Sequence, residues 1–428
     1  NSTTATKTYD GTTALTGNQI TISGLIGGQT LTYTGAAAND ANVGSGNYIT
    51  SMTLANGTNG GLASNYALPT LDATNAPVSI SPKLVSISGV KTYDATTGFV
   101  GSQVTITGMV GSETLTFTGA AANDANVATA NKYFNAITLV DDTGLASNYA
   151  LPSLTAASAN NTVTINPLTV TLNSTTATKT YDGTSALTGN QITISGLIGG
   201  QTLTYTGATA NSPNVGTGNF ITGMTLANGS NGGLASNYAL PTLNESNAAV
   251  SITPKSLSIA GVKTYDATTG LSGNQVTISG LVGTQTLNFS AAAANDANVA
   301  TANKYFSAIT LADGTNGGFA VNYALPSLTT ASVNNTVTIN PLTLTLNSST
   351  TTASYNGTDA LANMIITTSL GETVTLINVS ANSANVGSGN YIDNATITSG
   401  TGAASNYALP TLNATTAPVS IAPKALSI

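Results

Sequence analysis

Five tyrosines, Tyr9, Tyr93, Tyr181, Tyr265 and Tyr355, stand 84, 88, 84 and 90 positions apart, and each opens the same succession of landmarks. Asn-Val follows at Asn42, Asn126, Asn214, Asn298 and Asn385. Asn-Tyr-Ala-Leu-Pro comes next, with its Asn-Tyr pair at Asn65-Tyr66, Asn148-Tyr149, Asn237-Tyr238, Asn322-Tyr323 and Asn406-Tyr407. An apolar segment and a proline close each copy, at Pro82, Pro167, Pro254, Pro341 and Pro423. A chain built this way is an array of one module, and its fold is the fold of one copy repeated.

The landmarks divide the chain into repeat 1 (1–82), repeat 2 (83–167), repeat 3 (168–254), repeat 4 (255–341) and repeat 5 (342–423), with 424–428 matching the first strand of a further repeat. Two types alternate. Repeats 1, 3 and 5 carry glycine-bearing "NVGSGN" or "NVGTGN", whereas repeats 2 and 4 carry "GVKTYDA" and "NVATANKYF". Near-identical copies are therefore never adjacent, an arrangement we expect to guard against strand exchange between neighbours during folding.

Each copy holds short segments rich in Val, Ile, Thr and Tyr, separated by Gly, Asn and Pro, and none shows a sustained 3.6-residue apolar period. In "QTLTYTG" the threonines Thr202, Thr204 and Thr206 alternate with Leu203 and Tyr205, the pattern of a half-buried strand. The expected fold is all-β: a tandem array of five small antiparallel β-sandwiches, beads on a string, each large enough to close its own core. The Ala-rich run "GAAANDAN" reads as a loop. A proline at each joint stiffens the connection and keeps adjoining strands from merging into one ladder. Five globules in line would form a rod on the order of 150 Å long.

Composition removes most chemistry. The chain has no Cys, His or Trp, and its nine basic residues are all Lys. Zinc sites, thiol nucleophiles and Ser-His-Asp triads are excluded. No recurring carboxylate pair supports acid–base work, and each Asn-Asp loop offers one carboxylate where calcium sites gather several. We expect no enzyme and no cofactor or metal. A net charge of −7 argues against nucleic acid, and no apolar run is long enough to span a bilayer. A Cys-free chain is indifferent to oxidation, as suits export. Only 6% of residues are charged, so sheet edges here are either protected or meant to associate, laterally or head to tail.

The candidate site is the Tyr-Asp-Gly element: Tyr9-Asp10-Gly11, Tyr93-Asp94, Tyr181-Asp182-Gly183, Tyr265-Asp266 and the variant Tyr355-Asn356-Gly357. Its structural reading is a turn in which Gly supplies positive φ, Asp bonds backbone and Tyr packs in the core. Its binding reading makes the ring and carboxylate a ligand platform. The Asn-Tyr pairs read as a loop cap and a sheet-corner anchor, or as contacts for glycans or a host surface. Lys7, Lys91, Lys179 and Lys263 beside the motif raise an internal Lys–Asn isopeptide bond, which Ala353 in repeat 5 could not form.

The order "KTYDGTTAL…ANVGSGNYIT…LASNYALPTLDATNAPVSISPK" resembles the YDG-type repeats of large bacterial surface and secreted proteins, including filamentous-haemagglutinin-like exoproteins. The resemblance implies an Ig-like or β-grasp-like fold, an extracellular or cell-surface location and a role as stalk, adhesin or fibre. Ala95 and Ala267 in place of glycine depart from the pattern. Asn1 aligns with Asn173, so repeat 1 is expected to lack its first strand, while Pro423–Ile428 matches "PKLVSI". An excerpt of a longer array explains both; the other arrangement is strand addition between molecules.

Overall fold

The computed structural model describes residues 4–172, 177–346 and 352–428. Asn1 and Asn173, used above for alignment, lie outside them.

The described residues are all-β, with single 3-10 turns such as Ala146–Asn148. Repeat 2 shows the module. Ser86–Thr92 runs parallel to the closing strand Asn161–Asn166, in the register Ile87↔Asn161 to Thr92↔Asn166. On its other side it pairs antiparallel with Val104–Thr107. Leu115–Ala122 and Phe134–Asp141 form an antiparallel hairpin with bulges. Repeat 4 repeats this arrangement with Ser258–Thr264 at the centre. Repeats 1, 3 and 5 keep a parallel pairing of the strand before the Tyr motif with the closing strand, as Ala5–Thr8 with Val78–Ser81, Thr178–Thr180 with Ser251–Thr253 and Thr352–Ser354 with Ser420–Ala422.

The pairing is thus mixed and not wholly antiparallel as expected. The Ala-rich run is another correction. Gly35 to Ala38 finishes the strand Leu31–Ala38, with Ala36 and Ala38 buried, and the loop starts only at Asn39. Leu15 pairs with Ala36 there, so a small side chain suits the crowded register.

The two repeat types differ by a size exchange in the core. In repeats 2 and 4 a buried Phe134 or Phe306 covers Gly89 or Gly261, and a Cβ at Gly89 would stand 2.4 Å from Phe134 Cζ. Repeats 1 and 3 carry Ala5 and Ala177 at that register and the smaller Ile49 and Ile221 at the aromatic position, all buried. Only a complementary pair fills the space without overlap.

Compactness does not divide the chain into five beads. It yields two units, one of Asn1–Asn173, Thr193–Thr206 and Met224–Leu243, the other of Ser174–Ile192, Gly207–Gly223 and Asn244–Ile428. Each unit therefore takes part of repeat 3. Within the second, a continuous apolar cluster runs from Ile259 and Tyr265 of repeat 4 to Tyr407 and Ile421 of repeat 5. Four of the joint prolines sit between strands: Pro82 between Val78–Ser81 and Lys83–Leu84, Pro167 between Asn161–Asn166 and Leu168–Thr169, Pro254 between Ser251–Thr253 and Lys255–Ser256, and Pro341 between Asn335–Asn340 and Leu342–Thr343.

Candidate functional site: the tyrosine clamp

The turn comes first. Gly11, Gly183 and Gly357 have φ of +75°, +81° and +80°, the left-handed region that glycine occupies without strain. Ala95 and Ala267 hold the same turn at +63° and +64°, so the even repeats keep the shape at a cost of about 1 kcal/mol each. In every copy the residue after Tyr closes an Asx turn. Asp10 Oδ1 accepts from Thr12 N–H at 3.0 Å, and Asn356 Oδ1 accepts from Thr358 N–H at 2.9 Å.

Beneath the turn lies a buried lysine. Lys7, Lys91, Lys179 and Lys263 approach Asp10, Asp94, Asp182 and Asp266 at 2.7, 2.6, 2.8 and 2.6 Å. Lys7 Nζ also donates to the carbonyls of Thr12 (2.8 Å) and Ala14 (2.9 Å), so its charge is fully partnered. None of these partners is an asparagine, as an isopeptide bond would need. Burial alone would raise the Asp10 carboxyl, but hydrogen bonds from Lys7 and from the Thr12 backbone and side chain outweigh it and hold the group below the usual aspartate range. Repeat 5 replaces both partners together, with Ala353 for Lys and Asn356 for Asp. That double change leaves no buried charge unpaired.

The tyrosine of the motif is buried, but against the next repeat. Tyr9 meets Tyr149 edge to face with centroids 5.4 Å apart. Tyr93 meets Tyr238 (5.4 Å), Tyr181 meets Tyr323 (5.4 Å) and Tyr265 meets Tyr407 (5.6 Å). All eight rings are 3–5% exposed. One polar side chain receives both hydroxyls: Tyr9 and Tyr149 each donate to Glu113 at 2.5 Å. Glu372 does the same for Tyr265 and Tyr407. Gln201 accepts from Tyr238 (2.6 Å) and donates to Tyr93 (3.0 Å), and Gln285 accepts from Tyr323 and donates to Tyr181 (2.8 Å). Burial, and then the bond to Glu113, push the Tyr9 hydroxyl up to about 12; burial and Glu372 do the same for Tyr407.

The asparagine of each Asn-Tyr pair completes the clamp. Asn148 Oδ1 accepts from Val43 N–H at 2.8 Å, and its Nδ2 donates to Asn42 Oδ1 at 2.7 Å. Asn237 repeats this on Val127 and Asn126, Asn322 on Val215 and Asn214, and Asn406 on Val299 and Asn298. Asn148 therefore reaches into the preceding repeat and does not cap its own loop. That cap is supplied by Asp141, which accepts from Ala146 N–H. The hydroxyl of Tyr149 also accepts from Val110 N–H at 2.9 Å.

Sequence reading marked both tyrosines, the asparagines and the Asn-Val loop, but not that they meet. It missed Glu113, Gln201, Gln285 and Glu372 altogether. The available signal was a column of carboxylate or carboxamide, also filled by Gln29, in which no other residue type occurs.

Four copies of the clamp define a class: an all-β tandem-repeat protein whose recurrent residues knit each repeat to the next. Within that class, a YDG domain is detected over residues 1–76 and 160–246. These are the copies bearing Tyr9-Asp10-Gly11 and Tyr181-Asp182-Gly183. Comparison with curated proteins and with solved structures gives no match.

Proposed function

We propose that this chain is a structural repeat segment of an extracellular bacterial surface protein, a stalk or fibre that projects or constitutes an adhesin. The clamp carries this reading. The residues most faithfully repeated are spent on one another at every junction, which is what a chain needs to transmit load from one repeat to the next. Asn148, Asn237, Asn322 and Asn406 and their tyrosines are buried, so a glycan reaches an Asn-Tyr pair only at Asn65-Tyr66.

The test has two arms. Antibody against this segment should label intact, unpermeabilised cells, and the purified chain should leave a glycan array blank. Labelling only after lysis would refute the surface role, and saturable glycan binding would favour a binding module.

A further inference from the structure

The hairpin of each even repeat is bonded along one side only. In repeat 2 the Thr114 carbonyl accepts from Gly144 N–H (3.0 Å) and the Thr114 N–H donates to Thr143 Oγ1 (2.8 Å), so Thr114 faces the Phe134–Asp141 side. Backbone groups alternate along a strand, so Thr116 faces that way too, and Leu115 and Phe117 face the opposite way. On that opposite side Phe99 N–H reaches the Ala120 carbonyl and Ala122 N–H the Thr97 carbonyl, both at 2.9 Å, and there the bonding stops. Among the described residues nothing within the chain bonds the outward N–H and C=O of Leu115 and Phe117. They border a groove of about 720 Å³ whose other bank is Val104–Thr107, itself paired on one side only, with Ser86–Gly89. Repeat 4 has the same groove, of about 380 Å³, along Leu287 and Phe289.

Repeat 5 shows what fits such an edge. Its hairpin is equivalent: Gly402 N–H bonds the Thr373 carbonyl as Gly144 bonds Thr114, and Leu361 N–H bonds the Val379 carbonyl as Phe99 bonds Ala120. But Leu361 precedes Val374 by 13 positions, whereas Phe99 precedes Leu115 by 16. The shorter connection lays Met364–Thr367 antiparallel along the edge, Ile366 opposite Val374 and Met364 opposite Leu376. Val374 and Leu376 are then fully buried and Ile366 nearly so, while Ile365 points outward. Without such a strand Phe117, Leu287 and Phe289 stay half-buried. The edge therefore accepts an extended strand with aliphatic side chains at alternate positions. In the even repeats the segment that could supply it, Val104–Thr107 or Val276–Ser279, is drawn to the first strand instead.

The grooves also select by charge and by repeat type. No charged residue lines either one, so a charged occupant would lose its hydration without gaining a partner. The odd repeats carry Tyr33 and Tyr205 in the place of Phe117. In repeat 1 the Tyr33 hydroxyl donates to the Gly17 carbonyl across the groove (2.9 Å) and ties the banks together.

We propose that the hairpin edges of repeats 2 and 4 are docking sites for an extended protein segment that is uncharged and carries aliphatic residues at alternate positions. The segment pairs antiparallel with Leu115–Phe117 or Leu287–Phe289, bonding the outward amides and carbonyls, and lays its aliphatic side chains against Phe117 or Phe289. The inference rests on the open edges and stands apart from the surface role proposed above.

A fluorescein-labelled peptide with the sequence of residues 362–370, blocked at its ends, tests it by anisotropy against the 428-residue chain. Binding should saturate at two peptides per chain, and hydrogen exchange should slow at Leu115, Phe117, Leu287 and Phe289. The peptide bearing Ile366→Asp should not bind. Phe117→Tyr combined with Phe289→Tyr sets the odd-repeat hydroxyl opposite Gly101 and Gly273, should leave the circular dichroism unchanged, and should weaken binding by about tenfold or more. No saturation by about 1 mM peptide overturns the proposal, as does binding indifferent to the aspartate and the tyrosines, or unchanged exchange at the four amides. Slowing of those amides with chain concentration in the absence of peptide would assign the edges to a second copy and overturn it equally.

Discussion

Tyr9→Ala and Tyr355→Ala remove the same ring from the same motif in two odd-type repeats, and only the first lies inside a joint. Tyr9 is 4% exposed, packs on Tyr149 and donates to Glu113; Tyr355 is 39% exposed. Truncating a buried aromatic to alanine costs about 3–5 kcal/mol, of which about 0.5–1.5 kcal/mol is the ring–ring contact itself. The half-open Tyr355 should cost about 1–2 kcal/mol, since much of its apolar surface is not withdrawn from water. Interlocked repeats need not unfold in one step, so the readout must be local. Hydrogen exchange along a urea series supplies it. Tyr9→Ala should lower protection in Ala5–Thr8 of repeat 1 and also at Val110 of repeat 2, whose N–H is held by Tyr149. Tyr355→Ala should act in repeat 5 alone. If Tyr9→Ala costs no more than Tyr355→Ala, or leaves Val110 unchanged, the ring is not a joint.

Other perturbations follow from the same contacts. Asp182→Asn removes the countercharge of buried Lys179, which keeps the Thr184 and Ala186 carbonyls, and should destabilise its repeat by about 1.5–3 kcal/mol, whereas adding Lys179→Ala, which recreates the Ala353/Asn356 combination, should restore part of that in a double-mutant cycle. Gly89→Ala drives a Cβ against Phe134 and should cost about 1–3 kcal/mol in thermal unfolding; Phe134→Ile should rescue it, because that pair is the odd-repeat solution. The clamp should also fail at alkaline pH. A tyrosine raised from 10.0 to about 12 in the fold contributes stability that is complete below pH 10 and lost as pH climbs through 12. Absorbance titration of the phenolates should therefore coincide with loss of exchange protection at the joints, and Tyr9→Phe should remove its share of the pH dependence.

Much of the local structure was legible. Alternation in "QTLTYTG" marked a strand, and Asp-Gly marked a left-handed turn. What could not be read was which landmarks touch. A period of 84 to 90 residues makes Tyr9 equivalent to Tyr93, but says nothing of Tyr9 against Tyr149, since that contact joins two different motifs one repeat apart. Parallel pairing of the strand before the Tyr motif with the closing strand was hidden for a related reason: apolar alternation is the same in either direction. Repeat 5 held the best clue. Its joint loss of Lys and Asp shows that the two form a unit.

The central claim, that the recurrent motifs are joints, is tested most directly at five equivalent amides. Val43, Val127, Val215 and Val299 donate their N–H to an asparagine of the following repeat; Val386 occupies the same place on the open face of repeat 5. Hydrogen exchange in the 428-residue chain should find the first four strongly protected and Val386 exchanging freely. Equal exchange at all five would contradict the account.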